Sequence, residues 1–173
     1  MKKNNHIDSD GNIKMVDISN KAITHRKAIA SGYISLSEAA LESIKGGNKK
    51  GDVLTVAQIA GIQAAKNTSM LIPLAHQLNI ISINISFKIK EDRVECISEV
   101  TCDGKTGVEI EALCATQISL LTIYDMCKYI DKSMIISETK LVLKEGGKSG
   151  SYKVKKWKKY YLISYIYQLH YYH

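Results

Sequence analysis

A carboxylate and an ammonium group three residues apart are the first pair in this sequence that could do chemistry. Asp125 and Lys128 lie in the segment TIYDMCK. Residues three apart share a helix face, so the two side chains can meet. A carboxylate beside a lysine can act in turn as acid and base, because each charge tunes the pKa of the other group. We interpret the pair as a candidate catalytic site; the alternative is an ordinary surface ion pair, which has the same spacing.

Glu109 and Glu111 lie near the start of a predicted long helix in the stretch 103–131, which opens with a glycine-containing turn. No proline or glycine interrupts it from Val108 onward. Its apolar residues recur at roughly helical spacing: Val108, Ala112, Ala115, Ile118, Leu121 or Thr122, Met126 and Tyr129. Glu111 and Asp125 point roughly the same way, but a rise of ~1.5 Å per residue separates them by about 21 Å.

This separation limits how the two ends of the helix could act together. One small substrate pocket could not easily use both ends of a single copy. If both ends carry chemistry, the site is expected to be shared between neighbouring subunits. The simpler alternative is that Glu109 and Glu111 only complement the dipole at the helix N-terminus.

Sequence patterns also predict the elements that would position these groups. A short strand at 32–36 precedes a helix that opens with capping-box spacing, Ser35 and Glu38, and stops at a Gly-Gly pair. A second helix, 52–70, follows the loop NKKGD. Its apolar stripe is predicted at Val56, Ile59, Ala60 and Ala64.

The next segments alternate as strands do. One face of 80–90 carries Ile81, Ile83, Ile85, Phe87 and Ile89. A short EDR turn leads to RVECISEVTC, which predicts a hairpin, and SMIISETKLVLKEGG after the long helix predicts a last strand. The order β-α-α-β-β-α-β favours an α+β sandwich with helices covering one face of a mainly antiparallel sheet.

Composition and charge indicate one domain with an added tail. The chain has 173 residues and a net charge of +7, but five of its lysines lie in 151–173, which carries no acid. We predict a single domain at 1–150 and a basic, Tyr-rich C-terminal extension at 151–173 outside the core. The four cysteines show no metal-ligand spacing, and the chain shows no secretory signal or membrane span. We therefore expect a cytoplasmic protein with no nucleic-acid or membrane partner and no bound metal.

Basic groups are predicted at the ends of several elements, some beside glycines that let a backbone approach a ligand closely. They are Arg26, Lys50, Lys66, His76, Lys128, Lys144 and Lys148. Lysines are point charges suited to phosphate. The segment GGKSG is not a P-loop, because that motif needs a glycine at position 142, which is valine here.

Seven collinear segments carry a resemblance: MVDIS(N)K, KKGDV, IAGIQAAK, LIPLxH, GKTGVEIEAL, LTIYDMCK and GGKSG. Over about residues 6–152 the chain resembles the MoaC family of molybdenum cofactor biosynthesis. The resemblance implies a lyase that converts 3′,8-cyclo-7,8-dihydro-GTP to cyclic pyranopterin monophosphate and pyrophosphate. It also implies a ferredoxin-like subunit, assembled as a hexamer of three dimers with active sites at a subunit interface. No cofactor is implied, although Mg²⁺ could accompany the triphosphate.

Matched motif by motif, the resemblance assigns roles to individual residues. Asp125 is the catalytic acid/base, with Lys128 and Lys50 as its catalytic partners. Substrate binding is assigned to the tripeptide at 74–76, the acidic segment at 109–111 and four basic residues. These residues are Leu74, Ala75, His76, Glu109, Ile110, Glu111, Arg26, Lys66, Lys144 and Lys148.

The chain departs from the family pattern at two positions, Ala75 and Gln77, where many members have cysteine and proline. A thiol is therefore dispensable here, or this copy is impaired. Two alternatives stay open beside the enzyme: a non-catalytic nucleotide- or nucleic-acid-binding module, drawn from the basic loops and tail, and an inactive family member.

Overall fold

An antiparallel sheet forms the centre of the structure, a computed structural model that describes residues 6–148 and 150–154. Within these residues the sheet has five strands in the order β2-β3-β1-β4-β5. The strands are β1 (Thr24–Ser35), β2 (Ile80–Ile89), β3 (Arg93–Gly104), β4 (Ile135–Glu145) and β5 (Tyr152–Lys153). All neighbouring strands pair antiparallel, as predicted.

Two helices, α2 (Val53–Lys66) and α4 (Glu109–Cys127), pack against this sheet and bury its inner face. Two shorter helices, α1 (Glu38–Gly46) and α3 (Thr68–Leu71), precede and follow α2. The buried Ser98 of β3 donates to the Ala112 carbonyl of α4 at 2.7 Å, and Gln58 of α2 donates to the Ile85 carbonyl of β2 at 3.0 Å. The prediction of an α+β fold is confirmed.

Strand β1 is longer than the predicted segment 32–36. Its inner residues include Ala28, Ala30 and Gly32, which strand propensity disfavours but which leave room for α4. A Cβ at Gly32 would come 2.7 Å from Thr139 Oγ1 and 3.1 Å from Leu120 of α4. Because these small residues have low strand propensity, the sequence pattern does not predict this part of β1. The same residues allow α4 to pack close to the sheet.

The first predicted helix start was wrong by two residues. Ser35 is the last residue of β1, where it pairs with Arg93 and Ile135. The helix is capped instead by Ser37, whose hydroxyl oxygen accepts from the Ala40 N–H at 3.4 Å. Ser35, the predicted cap, is therefore part of the sheet and does not cap the helix.

The predicted apolar stripe of α2 was wrong in part: Ala64 is buried as predicted, but the larger residues of the stripe are not. Val56 and Ile59 are 40% and 62% exposed, whereas Ala57 and Gly61 are buried. A Cβ at Gly61 would collide with Ser119 of α4, so the small-residue face is the one that allows close packing. The buried face of α2 is therefore determined by small side chains rather than by the most hydrophobic ones.

Two other predicted apolar patterns hold only in part. In α4, Ala112, Ala115 and Met126 are buried as predicted, but Leu121 is exposed, as is Tyr129 just beyond the helix. The helix instead packs on more than one side, and its buried set includes Thr116, Ser119, Leu120 and Ile123. In β2, Ile81 is exposed because a bulge between Ile80 and Ser82 breaks the alternation.

The start of the predicted C-terminal extension adds a short strand to the sheet. Tyr152 pairs with Lys144 of β4. Residues 155–173 lie outside the described residues, and the boundary at residue 150 stays a prediction. No helix in the described part of the chain has the length and apolar character that crossing a membrane requires.

Candidate active site

Three predicted catalytic residues meet at the C-terminal end of α4 and form what we call the Asp125 cluster: Asp125, Lys50 and Lys128. Lys128 Nζ lies 2.7 Å from Asp125 Oδ1. Lys50 Nζ lies 3.3 Å from Asp125 Oδ2 and also donates to the Asp125 main-chain carbonyl at 2.8 Å. The two lysines, Lys128 first and then Lys50, lower the pKa of the Asp125 carboxyl, and Asp125 in turn raises the pKa of Lys128. The cluster therefore holds an ionised carboxylate at neutral pH.

The loop between α1 and α2 brings Lys50 to this position. Asn48 Oδ1 accepts from the Lys50 N–H at 2.9 Å, and Asn48 Nδ2 donates to the Met126 carbonyl of α4 at 3.4 Å. Gly51 has a φ of +97°, which other residues rarely adopt. Asp52 then caps α2 by accepting from the N–H groups of its first turn. The loop NKKGD therefore positions the Lys50 side chain against the C-terminal end of α4.

A cavity of about 260 Å³, which we call the His76 cavity, lies at the opposite end of α4. Five predicted substrate-binding residues line it: Leu74, Ala75, His76, Ile110 and Glu111. Glu111 is only 4% exposed. Burial raises the pKa of its carboxyl to about 7, and the nearby negative charge of Glu109 adds to this rise. A buried group that titrates near neutral pH can donate or accept a proton there.

His76 is fixed by a main-chain contact. Its Nε2 lies 2.8 Å from the Val16 carbonyl oxygen. Val16 belongs to the segment that precedes β1, sixty residues earlier in the chain. The histidine therefore joins the N-terminal segment to the wall of the cavity.

Beside this cavity lies a second charged group, which we call the Arg26 cluster: Arg26, Lys144, Glu109 and the glycines 146 and 147. Arg26 is 8% exposed and donates from Nε to the Gly104 carbonyl at 3.3 Å. Lys144 Nζ lies 3.0 Å from Glu109 Oε1. A Cβ on Gly147, whose φ is +81°, would collide with the Arg26 guanidinium. The loop at Gly146 and Gly147 can cover Arg26 only because these residues have no side chain and adopt a positive φ.

The two remaining predicted cations lie at the edge of this arrangement. Lys148 is exposed directly after the glycine loop. Lys66 ends α2 and lines a neighbouring cavity of about 390 Å³, which shares Leu78 with the His76 cavity. Neither lysine lies in the Asp125 cluster.

One chain thus divides the predicted site residues between the two ends of α4. The Asp125 cluster lies at the C-terminal end, and Glu111, His76 and the Arg26 cluster lie at the N-terminal end. The helical rise places Glu111 and Asp125 about 21 Å apart. Among the described residues, no three His, Cys, Asp or Glu side chains gather as a metal site would require.

Comparison with known proteins decides the family. The model of the MoaC family matches residues 15–147. This chain belongs to the MoaC family. A protein of Novosphingobium aromaticivorans named cyclic pyranopterin monophosphate synthase is 52% identical over 149 residues, which cover 86% of this chain and 95% of the relative. Proteins with the same name from Desulforamulus reducens and Thermoanaerobacter pseudethanolicus are 53% and 50% identical, over 85% and 86% of this chain and 91% and 96% of the relatives.

Several residues that line the His76 cavity have no role predicted from the sequence. They are His6, Val16, Ile18, Lys21, Leu78, Thr106 and Gly107. Val16, Ile18 and Lys21 belong to MVDISNK, one of the segments that carry the resemblance to the MoaC family. That segment was the signal that could have found them, but its place in the fold is set by contacts with residues far along the chain.

Proposed function

We propose that this chain is a cyclic pyranopterin monophosphate synthase. It converts 3′,8-cyclo-7,8-dihydro-GTP to cyclic pyranopterin monophosphate with release of pyrophosphate, as a phosphorus–oxygen lyase. The name shared by relatives of about 50% identity supports the reaction. The structural observation that supports it best is the Asp125 carboxylate held between two ammonium groups.

Asp125 is the proposed proton carrier. Opening an aminal, rebuilding a pterin ring and closing a cyclic phosphate each require proton transfers. The carboxylate is ionised and its side chain is 57% exposed, so a substrate can reach it. Lys128 lies at hydrogen-bond distance from it and can return a proton or stabilise a developing negative charge.

Charge and burial suggest how the other end of α4 would serve the same reaction. Leu74, Ala75 and His76, with the segment at 109–111, would hold the ring system. Arg26, Lys66, Lys144 and Lys148 would offset the charge of the triphosphate and of the departing pyrophosphate. No resident cofactor is needed in this scheme, and Mg²⁺ would enter as part of the bound triphosphate.

The distance between the two ends leads to the last part of the proposal. A site that uses both Asp125 and Glu111 has to draw them from different copies of the chain, because about 21 Å of helix separates them in one copy. We propose a homo-oligomer, a hexamer of three dimers, in which each site takes one end of α4 from each of two neighbours.

Turnover of the cyclic nucleotide tests the function directly. Purified protein is incubated with 3′,8-cyclo-7,8-dihydro-GTP, and pyrophosphate release is followed beside the Asp125→Asn variant. Release by the wild type and its loss in the variant, with substrate binding retained, is the expected result. Binding without release by the wild type would leave a nucleotide-binding protein and would refute the enzyme proposal.

A further inference from the structure

The segment that enters β1 crosses the His76 cavity. We call residues 14–23 the strap. The strap contains no helix or strand, and it leads directly into β1 at Thr24. Val16, Ile18 and Lys21 of the strap line the cavity. The strap is therefore one wall of the candidate substrate site.

Two side chains from separate loops fasten the strap. Lys105 Nζ donates to the Ser19 carbonyl at 2.7 Å, and His76 Nε2 bonds to the Val16 carbonyl at 2.8 Å. Lys105 lies just before Thr106 and Gly107, and His76 follows Leu74 and Ala75. These four neighbours also line the cavity. The strap thus ties together two loops that are about thirty residues apart in sequence.

A local turn prepares the strap for these contacts. Asp17 Oδ1 accepts from the Ser19 N–H at 2.8 Å, and the Lys21 N–H donates to the Ile18 carbonyl at 3.1 Å. The hydrogen bond from Ser19 lowers the pKa of Asp17, with a smaller contribution from the positive charge of Lys105. The Asp17 carboxylate therefore orders the turn and attracts the lysine that fastens it.

The partner of His76 settles which ring nitrogen carries hydrogen. A carbonyl oxygen only accepts, so Nε2 must be the donor in both charge states of the ring. In the neutral ring Nδ1 is then the unprotonated nitrogen and can accept a hydrogen bond or a proton.

We propose that the strap is a positioning element for His76, in which Lys105 acts through the Ser19 and Val16 carbonyls to hold the Nε2–H tautomer beside the substrate. The consequence for turnover rests on the proposed synthase function, whereas the contact itself does not. Lys105 is thus a positioning residue, not a group that reacts.

Nuclear magnetic resonance of the ¹⁵N-labelled full chain tests the contact. A hydrogen-bonded imidazole N–H is protected from exchange and visible, and the His76→Gln variant assigns the signal among the five histidines. Lys105→Met removes the fastening, whereas Lys105→Arg can still donate to Ser19. Lys88→Met, on the exposed outer part of β2, is the matched control for loss of one lysine. Melting temperatures check that every variant is folded.

The expected result is a protected His76 Hε2 signal in the wild type, Lys105→Arg and Lys88→Met, and its loss in Lys105→Met. Turnover of the cyclic nucleotide should follow, with kcat/KM reduced about tenfold in Lys105→Met alone. A signal absent from the wild type, or retained in Lys105→Met, overturns the proposal. So does loss of the signal with unchanged kcat/KM. If the wild type shows the signal but no turnover, the synthase function fails and the strap contact stands.

Discussion

The two ends of α4 hold carboxyl groups in opposite surroundings. Asp125 is more than half exposed and lies between two ammonium groups, which lower its pKa. Glu111 is almost fully buried, and burial raises its pKa to about 7. One helix therefore supplies an ionised carboxylate at one end and a carboxyl group that titrates near neutral pH at the other. Environments that push two pKa values apart are how proteins separate acid from base roles.

The largest expected effect comes from neutralising the exposed end. Asp125→Asn keeps the size of the side chain but removes its charge and basicity, so pyrophosphate release should fall about a thousandfold. Substrate binding, measured by calorimetry, should persist because the variant leaves the His76 cavity intact. Asp92→Asn, in the β2–β3 turn, is the control and should retain wild-type turnover. A fully active Asp125→Asn protein would remove this end of α4 from the chemistry.

Replacing the buried carboxyl tests the other end. Glu111→Gln should reduce turnover about a hundredfold, because the amide cannot exchange a proton. It should also change the pH dependence of stability. The raised pKa means that the unfolded state ionises first, so the wild type loses stability as pH rises from about 4.5 to about 7.

The variant should lose this pH dependence, and the difference should reach at most about 3 kcal/mol near pH 7. Thermal unfolding across this pH range measures it. Parallel curves for the wild type and Glu111→Gln would mean that Glu111 ionises normally in the folded protein.

Replacing Lys128 and Lys50 one at a time separates the effects of their two contacts with Asp125. Lys128→Met and Lys50→Met should each reduce turnover about tenfold and raise the pKa of Asp125 toward its ordinary value. The rise should be larger in Lys128→Met, since Lys128 lowers the pKa most. Titration of the Asp125 carboxyl carbon by ¹³C resonance measures both shifts. Equal or reversed shifts would contradict the geometry of the cluster.

The last expected effect is on stability rather than on turnover, and it concerns the middle of α4, which packs against α2 at Gly61. Gly61→Ala would push a methyl group into Ser119 and the Ala115 carbonyl, and should destabilise the protein by about 2 kcal/mol. Gly46→Ala, at the end of α1, meets nothing within 4 Å and should be neutral. Thermal unfolding compares the two variants. A neutral Gly61→Ala would mean that α2 and α4 are less closely packed than the structure indicates.

The fold was predictable where local pattern and packing agree. Alternation gave the β2–β3 hairpin, and uninterrupted helical spacing gave α4 within a few residues. Prediction failed where packing depends on small residues. The low strand propensity of Ala28 and Ala30 left most of β1 unpredicted, and the buried face of α2 contains Gly61 and not Ile59. Size complementarity between elements far apart in sequence cannot be read from either element alone.

The candidate site shows the same limit. The spacing of Asp125 and Lys128 predicted that they could meet, since both are on one helix. That Lys50 joins them depends on Asn48 contacting the end of α4, a contact 78 residues apart. The burial that raises the pKa of Glu111 likewise depends on the whole fold. Contacts within one helix were accessible from sequence, whereas contacts and burial that depend on the rest of the fold were not.

Co-expression of two inactive variants tests the shared site most directly. Asp125→Asn and Glu111→Gln chains carry different tags, and mixed oligomers are purified over both. In each mixed pair, one site takes Asp125 and Glu111 from the unmutated ends, so an equal random mixture should recover about a quarter of wild-type turnover. Turnover no higher than that of the two variants assayed separately would contradict a site built from both ends of α4 in different copies.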